Sequence, residues 1–487
     1  MKLLKDILYG VRLKAVTGTT ALEIGQVQFD SRKVASNDLF VAIKGGTVDG
    51  HTYIEQVIET GAIAIICEEL PKELRDNITY VQVDNSKNAL AIIASNYHNN
   101  PSKNLQLIGV TGTNGKTTVS TLLYDLFKKA GYKVGLISTI KIMVDEQSHK
   151  TTHTTPDPMT INHFLSLMAA EGVEFCFMEV SSHGLDQHRT AGLHFKGAIF
   201  TNLSHDHLDY HKDFAVYRDT KKRLFDDLEK SAFALSNVDD KNGLFMIQNT
   251  SAKKYTYALK TFADFRAQIM ERQFDGQLLK IDESDLWTKL IGDFNAYNIL
   301  AIYATAQILG LEKIEILRLL SELETVDGRF QYFISKQRIT AIVDYAHTPD
   351  ALKNVLDSIH ALRTGNENVI TVVGCGGERD KSKRPVMGHI ASELSNKAIF
   401  TSDNPRSEEP MAIIHEMEAG VEPQNSNKVL SIENREQAIK TACQLAVAND
   451  IILVAGKGHE TYQETNGKRI EFDDFKMITS ILESLNK

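Results

Sequence analysis

The residue pattern predicts an α/β chain built on parallel, doubly wound sheets. Three observations carry that expectation. Short apolar runs that read as buried strands alternate with helix-period segments along nearly the whole sequence. Several of those runs end in loops rich in glycine, asparagine and charged residues, where open α/β sheets take their ligands. The 487 residues suffice for about three domains, and 42% hydrophobic with 24% charged residues is an ordinary globular composition.

In chain order, strands are expected at Val27 to Phe29, Asp38 to Ile43 and Ala62 to Cys67, with helices near Tyr53 to Glu59 and Asn88 to Tyr97. The polar stretch HNNPSKN at 98–104 reads as a linker, which sets a first domain at 1–100. A strong strand, Leu105 to Val110, opens the next unit and feeds a glycine-rich loop and a helix from about Lys116. Strands follow at Val134 to Ser138, Glu174 to Val180 and Gly197 to Thr201, with helices at Phe214 to Lys230 and Phe294 to Leu309. The turn-like Asp327 to Phe330 marks a second boundary, giving domains at 101–332 and 333–487. The last unit has expected strands at Thr340 to Asp344, Val369 to Val373, Ala398 to Thr401 and Ile451 to Ala455. No internal repeat is visible.

Composition narrows the function. A formal charge of −9 argues against a general nucleic-acid binder. Four cysteines, at 67, 176, 375 and 443, form no CxxC pair and read as buried thiols of a reducing compartment. MKLLKDILYGVRLK carries charge too early for a signal peptide, and no apolar run is long enough to span a bilayer. The expectation is a cytoplasmic monomer that binds neither nucleic acid nor membrane.

The loop from Gly109 to Thr118, GVTGTNGKTT, lies between strand and helix. Gly112 and Gly115 let backbone N–H groups approach phosphate, joined by Thr113, Asn114 and the helix N-terminus. Lys116 reaches the β- and γ-phosphates, and Thr117 with Thr118 can serve Mg²⁺ and phosphate. Gly109 stands one residue too far from Gly-Lys for the strict P-loop spacing, so the match is to Gly-Lys-Thr in context. A carboxylate at the end of the 174–180 strand, Glu179, is placed to meet Mg²⁺ directly or through water. His205, His207 and His211 follow the next strand and invite a zinc reading, disfavoured by the lack of cysteine ligands. A Ser–His nucleophile from Ser181, Ser182 and His183 lacks the G-x-S-x-G elbow.

GTNGKTT, EVSSHGL, NLSHDHLDYH and YRDTKKRLF together resemble the Mur ligase family of peptidoglycan synthesis, and the resemblance extends in order along essentially the whole chain. It implies three domains, with a P-loop ATPase-like central parallel sheet and a Rossmann-like C-terminal domain. It also implies ATP and Mg²⁺, with Lys116, Lys221 and His207 catalytic, Lys221 carrying a carbamate, and Thr117, Glu179, His207 and Lys221 serving metal. A carbamate is anionic and offers oxygen ligands, where an ammonium would repel the ion. Asn295 and Asn298 lie three apart on a helix face and, by the resemblance, address ATP together with Gly328, Arg329, Asp344 and His347. The loop Gly374 to Asp380 with Lys383, Arg384 and Pro385 is a further strand-end glycine cluster with basic residues. Glu378 stands where many members have aspartate.

The members differ in the amino acid they add. Phe29, Ser31, Gly46, Thr47 and Val48 resemble the uridine-binding segment of the third-residue-adding enzymes. Thr154, Thr155, Ser181, Gln187 and Arg189 match their sugar-peptide contacts. Asp403-Asn404-Pro405-Arg406 accompanies meso-diaminopimelate in that subfamily, with Arg379, Gly456 and Glu460 as further partners. Diaminopimelate is lysine with a second carboxylate, and an arginine fork at 406 suits that group. The expected reaction joins meso-diaminopimelate to UDP-N-acetylmuramoyl-L-alanyl-D-glutamate through an acyl phosphate. The alternatives are a lysine-adding ligase, a folylpolyglutamate synthetase-like ligase, and a nucleotide-dependent binding protein without turnover.

Overall fold

The computed structural model describes residues 1–45, 48–206 and 208–487. Three sheets follow one another along the chain. The first has strands in the order Leu13–Thr17, Thr79–Val83, Ala64–Cys67, Leu39–Val41 and Val27–Gln28, parallel except for the Leu13–Thr17 edge.

The second sheet has eleven strands. Its parallel centre runs Val134–Ile137, Phe175–Glu179, Gln106–Thr111, Phe195–Phe200, Phe233–Asn237 and Lys253–Ala258. These strands are almost continuously apolar because both faces are covered. On one face Val119, Leu123 and Phe127 of the helix Lys116–Lys129 pack with Ile299 and Tyr303 of the helix Asp293–Ile308. Phe127 sits 4.6 Å and 5.2 Å, ring to ring, from Phe175 and Phe177, and truncating it to alanine costs about 3–5 kcal/mol. The other face is packed by Leu165, Met168, Phe225 and Met246. Gln106–Thr111 lies between the two strands that follow it later in the chain, so the strand order reverses beside it. A crevice opens at such a reversal, at the carboxyl ends of the strands.

The third sheet runs Gln331–Ile334, Thr340–Asp344, Ile451–Ala455, Val369–Val373, Lys397–Phe400 and Val429–Ser431, parallel but for the first. A separate hairpin, Tyr462–Thr465 with Lys468–Glu471, lies over its carboxyl edge.

Most expected strands stand within a residue or two of their predicted places. The helix expected to reach Lys230 spans Phe214–Asp226, stopping where Asp227 caps it and buried Leu228 turns the chain toward Phe233–Asn237. The hairpins Phe265–Gln273, Gly276–Ile281 and Ser284–Thr288 were not anticipated. They are antiparallel, and much of Phe265–Gln273 is exposed, so it lacks the apolar run that marks a buried strand. The four cysteines are unpaired and buried. Among the described residues no helix is long and apolar enough to cross a membrane.

Candidate active site between the second and third sheets

The carboxyl ends of the second and third sheets face a common cleft of about 1640 Å³. Its floor is the loop after Gln106–Thr111. Gly112 and Gly115 hold φ of +151° and +87°, which side chains avoid. A Cβ on Gly112 would fall 1.9 Å from the Thr201 hydroxyl oxygen, and one on Gly115 2.6 Å from the Asn298 amide oxygen. The loop is therefore tightly seated, and the helix Lys116–Lys129 starts directly from it. Lys116 Nζ donates to the carbonyls of Gly112 (2.9 Å) and Thr113 (2.8 Å), curled back over its own loop.

Two polar groups meet behind that lysine. Glu179 is fully buried at the end of its strand. Its Oε2 accepts from the hydroxyls of Thr117 (3.0 Å) and Thr139 (3.1 Å), and its Oε1 from the Thr139 backbone N–H (2.8 Å). Lys221, on the helix Phe214–Asp226, is 1% exposed, and its ammonium donates to the Gly112 carbonyl at 2.8 Å. Burial, then the neighbouring Lys116 charge, push its pKa well below the ordinary lysine value. Gly112 thus receives two lysines. Tyr217 lies beneath Lys221, its ring centroid 4.7 Å from Nζ.

The third sheet supplies the opposite wall. Arg329 Nη2 donates to Thr117 Oγ1 at 3.1 Å, and its guanidinium lies 4.4 Å from the Tyr345 ring centroid. Asp344 accepts the Phe330 N–H at 2.7 Å, and burial raises its pKa to about 6 against the opposing pull of Arg329. His347 Nδ1 is 2.8 Å from the Tyr345 carbonyl oxygen, and burial, with Lys383 next, lowers its pKa to about 4, so it is neutral near pH 7. Gly328 holds φ +65°, and a Cβ there would come within 2.0 Å of the His459 nitrogen. Asn114 Nδ2 donates to Asp350 Oδ2 at 3.0 Å, joining the phosphate loop to the third sheet's helix Pro349–Leu362.

The DNPR turn follows strand Lys397–Phe400. Arg406 adopts φ +53° and is gripped by the hairpin: its N–H donates to the Glu464 carbonyl (3.1 Å), and its carbonyl accepts from Asn466 N–H (2.6 Å). Its Nη1 donates to the Gly377 carbonyl at 2.6 Å, leaving Nε and Nη2 without a protein acceptor among the described residues. Arg379, Asp403, Asn404, Arg406, Gly456 and Glu460 all line the cleft. A Cβ on Gly456 would fall 2.7 Å from Asp403 Oδ2. The arrangement sets a phosphate-type loop opposite a subsite rich in both signs of charge.

Three family models match the chain in sequence: the Mur ligase family catalytic domain over 23–98, the Mur ligase middle domain over 110–306, and the Mur ligase glutamate ligase domain over 328–458. The UDP-N-acetylmuramoyl-L-alanyl-D-glutamate–2,6-diaminopimelate ligase of Cytophaga hutchinsonii is 52% identical over 485 residues, covering 99% of this chain and 100% of that protein. The protein of the same name from Bacteroides fragilis is 51% identical, covering 98% and 99%.

The chain belongs to the Mur ligase family.

A solved structure of a ligase of that name is similar with a TM-score of 0.69 at 30% identity, covering 100% of this chain and 99% of that one. The MurF ligase from Thermotoga maritima in complex with ADP has a TM-score of 0.62 at 19% identity, covering 95% and 97%, a likeness of fold.

Within this Mur ligase several residues expected at the site stand differently. Asn295 does not line the cleft: its amide donates to the Ile291 carbonyl at 2.8 Å, and its oxygen accepts from Asn298 Nδ2 at 3.0 Å. The helix turns Asn295 inward, where its amide orients Asn298. Arg384 is fully buried, its guanidinium bonded to Glu408, Glu416 and the Gly376 carbonyl, a brace for the glycine loop and not a basic group of the cleft. Thr154, Thr155, Ser181 and Arg189 line the cleft, while Gln187 does not. Gln187 Oε1 accepts from Arg189 Nε (3.1 Å) and Nη2 (2.7 Å), and Arg189 Nη1 donates to the Thr155 carbonyl (2.6 Å). Phe29, Ser31 and Val48 lie outside the cleft lining, with Phe29 and Val48 exposed. Gly46, Thr47 and His207 fall outside the described residues.

Sequence reasoning missed Arg435 and Lys457. Arg435 is buried against Asp474 (2.8 and 2.7 Å) and also donates to the carbonyls of Ser402 (3.4 Å) and Ala455 (3.0 Å), the strand ends that carry DNPR and GKGHE. Neither residue sits in a pattern that separates a buried cation from a surface one. Arg435 stands in the polar run from Glu433 to Gln437, and Lys457 between two glycines after an apolar strand.

Proposed function

We propose that this Mur ligase adds meso-diaminopimelate to UDP-N-acetylmuramoyl-L-alanyl-D-glutamate with hydrolysis of ATP. The observation that carries the reading is the Arg406 fork, held in a left-handed turn at the cleft, with free donors on the same wall as Glu460. A second carboxylate on the amino acid meets two parallel N–H donors there, and its neighbouring ammonium meets Glu460. Lysine would leave the fork unpaired in a half-buried site.

The chemistry divides between the walls. The substrate's glutamyl carboxylate attacks the γ-phosphorus and ADP departs, giving an acyl phosphate. The amine then attacks that carbonyl, and inorganic phosphate and a proton leave. Lys116 and the amides of residues 112–118 bind the phosphates, and Arg329 adds charge from the other wall. Arg189, already aimed by Gln187, suits the sugar-peptide's acid groups. Phe29, Ser31 and Val48, with Gly46 and Thr47, are proposed to hold the uridine end outside the cleft, and 1–100, 101–332 and 333–487 to act as the three working units.

The residues present fit Mg²⁺. Thr117 and Glu179 put two oxygens 3.0 Å apart beside the phosphate loop. Lys221, buried with a carbonyl and another lysine as neighbours, lacks a carboxylate hydrogen bond among the described residues and suits conversion to a carbamate. When bound, Mg²⁺ supplies charge neutralisation on the transferring phosphate.

Phosphate release would be measured with ATP, Mg²⁺, the UDP-muramoyl dipeptide and a panel of amino acids. Diaminopimelate should be preferred, and Arg406→Lys should raise its KM by about 10- to 100-fold. Preference for lysine by the unaltered chain overturns the reading.

A further inference from the structure

Lys457 lies in the GKGHE stretch after the strand Ile451–Ala455, and its side chain is entirely buried. Its Nζ donates to Asn404 Oδ1 at 3.0 Å and to Glu460 Oε2 at 3.1 Å, 5.4 Å from the Tyr462 ring centroid. Asn404 Oδ1 also accepts the Glu464 backbone N–H at 2.9 Å, and Asn404 Nδ2 donates to Glu460 Oε2 at 2.7 Å. The amide of Asn404 is thereby fixed at both ends. Both bonds to Glu460 fall on Oε2, and Oε1 has no protein donor among the described residues.

We propose that Lys457 is a positioning residue of the amino-acid subsite: its buried ammonium keeps Glu460 a carboxylate and locks Asn404, so that Glu460 offers Oε1 to the ammonium of the incoming amino acid. The inference rests on the reading of the cleft given above.

The charges around Glu460 explain why a cation is needed. Burial and then Asp403 raise the Glu460 pKa, and Lys457 opposes them. Arg435 from the helix Arg435–Leu445, Arg469 and Tyr462 of the hairpin, and Tyr345 also face it. His459 beside it stays neutral, its pKa lowered to about 3 by burial. A carboxylate beside Glu460 disfavours its ionised form, and a cation hydrogen-bonded to it favours that form. Lys457 is the cation hydrogen-bonded to Glu460, and its side chain is fully buried.

Lys457→Met is the test, with KM for diaminopimelate measured from pH 6.5 to 9 beside KM for ATP. Loss of one charge-assisted contact should raise the amino-acid KM by about tenfold or more at pH 7. The excess should shrink as pH rises and Glu460 ionises, while KM for ATP stays within about twofold. Adding Glu460→Gln should abolish that recovery at high pH. An amino-acid KM raised equally at all pH values, or unchanged, overturns the proposal. So does a loss confined to kcat or shared by ATP, the mark of a merely structural lysine. If Lys457→Met shows no cooperative thermal transition, Lys457→Gln, whose amide can still donate to Asn404, is read against the same outcomes. If the unaltered chain releases phosphate with lysine and not with diaminopimelate, the substrate assignment fails instead.

Discussion

Lys221 stands in surroundings that disfavour the charge it would carry as an ammonium. It is buried against a carbonyl and a second lysine, with the Asp206 charge opposing that of the lysine, where a cation without a carboxylate hydrogen bond among the described residues is costly. Lys221→Ala should lower turnover by about 100-fold or more, the scale of losing one preorganised charge-stabilising group. Added short carboxylic acids should restore part of the rate, and full activity in the variant would refute the carbamate role. Asp344 gives a pH signature. Its folded pKa of about 6 lies above the ordinary carboxylate value of 3.8, so the folded chain holds that proton more tightly. Its contribution to stability is therefore lost as pH rises from about 4 to about 6, and is flat above. Asp344→Asn keeps an acceptor for the Phe330 N–H and does not titrate. The stability of the variant relative to the unaltered chain should rise across that window in denaturant titrations, and a flat difference would sink the assignment.

At the scale of elements, the third sheet's loops are nested so that one holds another. A Cβ on Gly377 would fall 1.9 Å from the Pro405 carbonyl oxygen. The glycine loop is thus a template on which the DNPR turn rests, and the hairpin Tyr462–Glu471 closes over it from the other side. Gly377→Ala should displace Arg406, raising the amino-acid KM about tenfold or more, the scale of one charged contact. KM for ATP should change far less, and steady-state kinetics with each substrate varied in turn would read the split. Equal effects on both would show that the loop serves the whole cleft. The strand ends themselves were readable in advance, because apolar runs such as Val369 to Val373 and Ile451 to Ala455 are buried on both faces. The antiparallel additions from Phe265 to Thr288 were not, since a half-exposed strand has no such run.

For the whole molecule, the cleft exists only where two separately folded sheets face each other. The phosphate loop is tied to the opposite wall by the hydrogen bonds from Asn114 to Asp350 and from Arg329 to Thr117. One bond to a charged group contributes about 1.5–3 kcal/mol, enough to shift an open–closed balance by about 10-fold or more. Asp350→Ala should raise KM for ATP and enlarge the radius of gyration in small-angle scattering without nucleotide. An unchanged profile in both measurements would show that closure is held elsewhere.

The local pattern of residues determined the order of strands and helices, the phosphate loop, Glu179 at its strand end and the DNPR turn. Each of these is written in a few consecutive positions whose chemistry or spacing is distinctive. Only tertiary structure decided that Asn295 turns inward, that Arg384 is a brace, and that Lys457 and Arg435 are buried cations under the amino-acid subsite. Arg384, Arg435 and Lys457 meet partners 8 to 53 residues away along the chain, brought together by packing, while those of Asn295 are within four residues and only the seating of its helix decides which way it faces. A single side chain's burial and partners are properties of the folded contacts, and no window of sequence contains them.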